Sequence, residues 1–185
     1  MDAEQIIEPT AEAEIQLCNY LDRRCWEVFA EIDEADRLNA FGTMIVVYDC
    51  AGDIPTIDVE FWYNTPGYET RYPEHAEEAK WNPCFWERAS ELLNFATDGG
   101  PELLQDLHDL YCENSVEFEG DYNGVIRFWG LVTGWAKRLK DNDRFKEMFP
   151  RSELLLVGNR AGDGANATRL VNGTVPSYIW SAGLG

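Results

Sequence analysis

The sequence predicts an α+β fold, a single domain over residues 1–185 in which helices pack on a small, mainly antiparallel sheet. Three observations carry that expectation: long segments of helical periodicity, one pair of β-branched segments joined by a turn, and a short apolar run late in the chain. A chain of 185 residues hides roughly 70% of the surface its unfolded form exposes, so its core needs no covalent staples.

The elements follow in order. From Thr10 to about Asp36, residues Ile15, Cys18, Leu21, Cys25, Val28, Phe29 and Ile32 recur at helical spacing after Pro9, predicting one long amphipathic helix whose other face carries Glu12, Glu27, Glu31 and Glu34. Segments 40–49 (AFGTMIVVYD) and 56–65 (TIDVEFWYNT), joined across CAGD, predict a β-hairpin. Pro66, Gly67 and Pro73 predict an irregular connection before a short helical stretch over 74–79. Residues 85–96 read as a helix burying Trp86, Ala89, Leu92, Leu93 and Ala96, and Pro101 opens another helix to about Cys112.

A further helix over 122–140 presents Val125, Phe128, Trp129, Val132, Ala136 and Leu139 on one face, with Gly130 and Gly134 permitting close approach. Lys137, Arg138 and Lys140 fall in its last turns, where they complement the helix dipole. Residues 153–157 (ELLLV) predict a buried strand, 158–167 a glycine-rich surface loop and 169–180 a final strand or turn. In WNPCFW (81–86), Asn82 suits a helix cap, Pro83 the first turn, and Trp81 a staple onto it. The segment thus reads as a packed hinge that aims the following helix.

Five cysteines, Cys18, Cys25, Cys50, Cys84 and Cys112, are odd in number and form no C-x-x-C, so the expectation is reduced thiols in a cytoplasm. The acidic N-terminal stretch lacks the basic and apolar regions of a secretory signal or transit peptide, and 125–136 is too short and too polar to span a bilayer. On that reading the sequons at Asn166 and Asn172 carry no glycan.

Charge is the most informative bulk property. Residues 1–120 hold 28 of the 34 acidic and 6 of the 15 basic residues, whereas 121–185 are slightly basic. A field of that sign repels nucleic acid and anionic lipid and speeds encounter with basic proteins; the same charge also serves solubility. Expected partners are therefore basic proteins, with neither direct nucleic-acid binding nor membrane binding.

Signals for catalysis are sparse. His108 and Cys112 sit at i and i+4 on one predicted helix, within reach of each other, which keeps a small Cys/His hydrolase as one alternative. That pairing brings no oxyanion donors and no substrate groove. His75 stands beside Glu74 in a solvated stretch, and no H-E-x-x-H, EF-hand or G-x-S-x-G spacing occurs. The loop over 158–167 lacks the G-K-[ST] of a phosphate cradle. No catalytic residue, metal ligand or cofactor is assigned.

The positive signal is an acidic face. Glu102, Asp106, Asp109 and Glu113 follow at helical spacing opposite Leu103, Leu104, Leu107, Leu110 and Tyr111, and Glu87 and Glu91 make a similar i, i+4 pair on the preceding predicted helix. Like charges so placed cost a few tenths of a kcal/mol per pair unless a cation offsets them. A DNA mimic, the second alternative, needs more charge: ~16 Å of helix carries these four acids, against about ten phosphates on the same length of duplex. Only alignment with the rows at Glu87/Glu91 and Glu27/Glu31/Glu34 would supply it.

The acidic first helix, the strand pair, the WNPCFWE segment and the late ELLLV followed by TRLVN together resemble an uncharacterised family of bacterial cytoplasmic proteins. Some of its members look like immunity proteins of polymorphic toxin systems. The closest point is Trp81-Asn82-Pro83 with Trp86, similar to that family's Trp, small polar residue, Pro and Trp. The resemblance implies a non-enzymatic protein that neutralises a basic toxin or effector. The residues expected to meet that partner are Glu87, Glu91, Glu102, Asp106, Asp109 and Glu113, with Tyr68 or Tyr72 as aromatic anchors.

Overall fold

A computed structural model describes residues 11–48, 58–80, 85–94, 123–159, 168–169 and 171–173. Helix α1 (Ala11–Glu31) buries Leu17, Leu21, Cys25, Val28 and Phe29, with Ile32 just beyond its end, a stripe at intervals of three and four. Ile15, expected in that stripe, is 60% exposed. It lies two residues, about 200° of helical rotation, before Leu17, which takes the core position instead.

The expected single helix to Asp36 is two helices. Asp33 leaves helical geometry, and its Oδ1 accepts from the Ala35 N–H at 2.8 Å, capping α2 (Glu34–Asn39). Glu34 and Asp36 fall in the first turn of α2, where carboxylates complement the dipole. The chain then enters strand β1 (Gly42–Tyr48), which pairs antiparallel with β2 (Asp58–Asn64) over all seven residues, the hairpin the alternating pattern predicts.

Three short helical turns follow β2. These are α3 (Tyr68–Arg71), a 3₁₀ turn (Pro73–His75) and α4 (Ala76–Ala79). The next element overturns an expectation: Glu87–Asn94 is strand β3, not a helix, and it pairs antiparallel with β2. The sequence E-R-A-S-E-L-L has helix-forming residues, but pairing along β2 outweighs a propensity worth only tenths of a kcal/mol per residue. Register irregularities between Val59 and Glu60 and between Phe61 and Trp62 break the alternation in β3, and at the first of them Leu92 and Leu93 are both buried. That break disguises the strand as a helical stripe.

Helix α5 (Asn123–Asp141) forms where expected and buries Val132, Trp135, Ala136 and Leu139. Among the described residues, a Cβ at Gly130 would meet nothing within 4 Å and one at Gly134 only the Arg138 side chain of its own helix, so neither glycine brings a described element into close approach. Asn142 caps α6 (Asp143–Met148), which has no counterpart among the predicted elements. Strand β4 (Leu154–Asn159) then pairs parallel with β1, giving a mixed sheet of order β3-β2-β1-β4 in which two of the three pairings are antiparallel.

The sheet has two apolar faces. Ile45, Val59, Phe61, Leu155 and Val157 meet α1, α5 and α6 in the main core, where Phe29 lies against the rings of Phe61, Phe145 and Phe149 at centroid distances of 4.5, 5.8 and 5.1 Å. Met44, Val46 and Leu156, alternating with that set, join Trp86 and Trp62 on the other face. Trp86 is thus buried, as expected, but at the entrance to a strand; Trp81 to Cys84 of the hinge lie outside the described residues.

The outer edge of β4 is closed by side chains. Thr168 Oγ1 exchanges hydrogen bonds with the Val157 backbone at 3.0 and 3.1 Å, and Asn172 does the same with Leu155 at 3.0 and 2.8 Å. Two polar residues one helical turn apart stand in for a neighbouring strand, protecting the edge. The Asn172 amide of the second sequon is therefore occupied within the fold.

Candidate protein-binding surface

The described part of the connection from β2 to β3, residues 65–80, is a strap held from below. Gly67 takes φ 111°, a left-handed conformation that glycine adopts without steric cost, and turns the chain into α3. Asn64, fully buried at the end of β2, donates its Nδ2 to Ala79 O at 3.0 Å and Lys80 O at 3.3 Å, and its Oδ1 accepts from Arg71 Nη2 at 3.5 Å. Tyr68 is 8% exposed and packs on Phe41 with centroids 5.4 Å apart. It anchors the strap to the domain, so its expected role as an aromatic anchor for a partner is not available to it.

Tyr72 has the opposite position. It is 37% exposed, and its ring meets Phe85 edge-on at 4.9 Å while His75 stacks on the same Phe85 at 5.7 Å and 27°. Tyr72 N–H bonds to Tyr68 O at 2.8 Å and His75 N–H to Tyr72 O at 3.0 Å, so two of the three rings ride on a hydrogen-bonded backbone. Glu69 and Glu74, both exposed, sit on the same strap. The Glu69 carboxyl is held below the usual carboxylate range, first by its own backbone N–H, with the Gly67 N–H also donating at 3.3 Å. Of this group only Tyr72 is among the sites read from sequence; Phe85 and His75 join it because the strap brings residues ten and thirteen positions apart to one place.

The acidic residues fare unevenly. Glu87 and Glu91 lie on β3, where four residues span ~13 Å, so they do not form the helix-surface pair expected of them. Glu91 is half-buried and stands opposite Glu60 in register; Glu60 itself is 6% exposed and accepts the Trp62 indole N–H at 2.8 Å. Glu102, Asp106, Asp109 and Glu113, and with them His108 and Cys112, lie outside the described residues. At the α1–α2 corner, Glu31, Asp33 and Glu34 are exposed, while Glu27 is paired with Arg24.

Of the two described thiols, Cys25 is buried and Cys18 half-buried. Cys25 Sγ donates to Asp22 O at 3.1 Å, and burial, reinforced by the Asp22 charge, pushes its pKa up to about 12. Burial also raises that of Cys18. Since the thiolate is the reactive form, Cys25 is expected to resist iodoacetamide at about pH 8 and to react once urea unfolds the chain, read by mass spectrometry. The neutral thiol is favoured in the folded state, so its contribution to stability holds below the ordinary value of 9.0 and is lost as pH rises toward about 12.

Among the described residues no group of three His, Cys, Asp or Glu is placed to hold a metal ion, and no helix is long and apolar enough to cross a membrane. The architecture defines the class, an α+β domain with a small mixed sheet. No protein-family model, curated protein or solved structure matches the chain.

Proposed function

We propose that this chain is a cytoplasmic, non-enzymatic binding protein that neutralises a basic bacterial toxin or effector, in the manner of an immunity protein. The observation that carries the reading is the exposed Tyr72, set with Phe85 and His75 on an anchored strap beside Glu69 and Glu74, in a chain of net charge −19. Long-range attraction brings a basic protein to such a surface, and a desolvated aromatic then supplies most of the local affinity. The resemblance to an uncharacterised bacterial cytoplasmic family, some members of which look like immunity proteins, supports the same reading.

Co-expression with the product of the gene immediately upstream tests it. That product is expected to arrest growth alone and to be harmless beside this chain. With the purified pair, the double charge reversal Glu102→Lys/Asp106→Lys is expected to slow association about tenfold at low salt, with the difference shrinking as salt is added. A partner that stays toxic, or an association rate unchanged by the reversal, overturns the respective part of the proposal.

A further inference from the structure

We infer that the Tyr72–Phe85–His75 cluster is an arginine-reading platform, its occupant an arginine side chain on the basic partner. This deepens the reading above and rests on it. Tyr72 offers an exposed ring edge-on to Phe85, and Glu69 and Glu74 place two exposed carboxylates on the same strap. A guanidinium satisfies both kinds of group at once, because it stacks on an aromatic face while its fork of N–H donors reaches carboxylates. An ammonium is a compact, strongly hydrated charge and gains less from the ring.

The molecule already uses this pairing inside its own surface. Arg144 lies over the Trp26 ring at 4.5 Å and Arg23 over Tyr20 at 5.2 Å. At the strap, Arg71 instead donates to Asn64 Oδ1, toward the anchored side. A net charge of −19 disfavours nucleic acid or an anionic membrane as the occupant. The strap is also preorganised: Pro73 opens its 3₁₀ turn and backbone hydrogen bonds fix Tyr72 and His75, so little ordering cost falls on binding.

The test uses the full chain titrated with N-acetylated octa-arginine and octa-lysine peptides by calorimetry at matched salt. The wild type is expected to bind octa-arginine about tenfold more tightly than octa-lysine. Tyr72→Leu, which keeps apolar packing against Phe85 but removes the ring, is expected to reduce that preference to about twofold while leaving octa-lysine binding unchanged. Glu69→Gln/Glu74→Gln is expected to weaken both peptides. Equal binding of the two peptides by the wild type, or a preference that survives Tyr72→Leu, overturns the arginine platform and leaves the anionic surface standing. Failure of both peptides to bind overturns the anionic surface as well. The circular dichroism spectrum of Tyr72→Leu, expected to match the wild type, separates lost recognition from lost folding.

Discussion

Phe29→Ala is expected to lower the free energy of unfolding by about 3–5 kcal/mol, the range for deleting a large buried ring. Phe29 is fully buried, and it is where the layers meet: Phe61 comes from β2, Phe145 from α6, Phe149 from just beyond it, and Trp26 from α1 itself at 5.6 Å. Removing the ring forfeits its transfer out of water and leaves a cavity that four neighbours from three elements cannot close together. Against the 5–15 kcal/mol that holds an ordinary domain together, such a loss brings the chain close to unfolding at ambient temperature. Urea denaturation measures it, as a lower midpoint at an unchanged slope. Ile15→Ala on the same helix is the internal contrast, expected to change stability by less than about 0.5 kcal/mol because the side chain is 60% exposed. If the two variants cost similar amounts, the placement of α1 against the sheet is wrong.

That contrast also shows where the sequence was a sound guide to the fold. The spacing of Leu21, Cys25, Val28, Phe29 and Ile32 specifies both a helix and its buried side, but Ile15, which the same reading placed in the stripe, faces water, and Leu17, which it left out, is buried. The β1–β2 hairpin was legible because β-branched alternation has few other readings. β3 was not, because the register irregularity between Val59 and Glu60 places Leu92 and Leu93 on the core side in succession, a pattern that mimics helical periodicity. Pairing with β2 is a long-range event that local spacing does not encode. The break between α1 and α2 had a local signal, Asp33 followed by acidic residues, that the apolar stripe concealed. For the candidate site, the sequence offered Tyr68 and Tyr72 as equals, and burial separates them. Phe85 enters the cluster only through the strap's folding, so no spacing rule would have found it.

Asn64→Leu is expected to cost about 2–3 kcal/mol and to loosen the strap more than the domain. Leucine has nearly the shape of asparagine but donates nothing, so Ala79 O and Lys80 O lose the Nδ2 donor that reaches both, and Arg71 loses its Oδ1 acceptor. A buried acceptor stripped of its partner costs its full desolvation, which exceeds the net worth of an average hydrogen bond. The backbone pairing at the same residue survives, because Phe41 N–H donates to Asn64 O at 3.1 Å regardless of side chain. The damage should therefore be local. Hydrogen exchange at the Tyr72 and His75 amides, protected by Tyr68 O and Tyr72 O, is expected to accelerate well beyond that of the β1 amides. Since Tyr72 and His75 move with this backbone, the arginine-over-lysine preference should fall in Asn64→Leu although no residue of the cluster has changed. Uniform acceleration across β1 and the strap would instead assign Asn64 to global stability and leave Tyr68 as the strap's anchor.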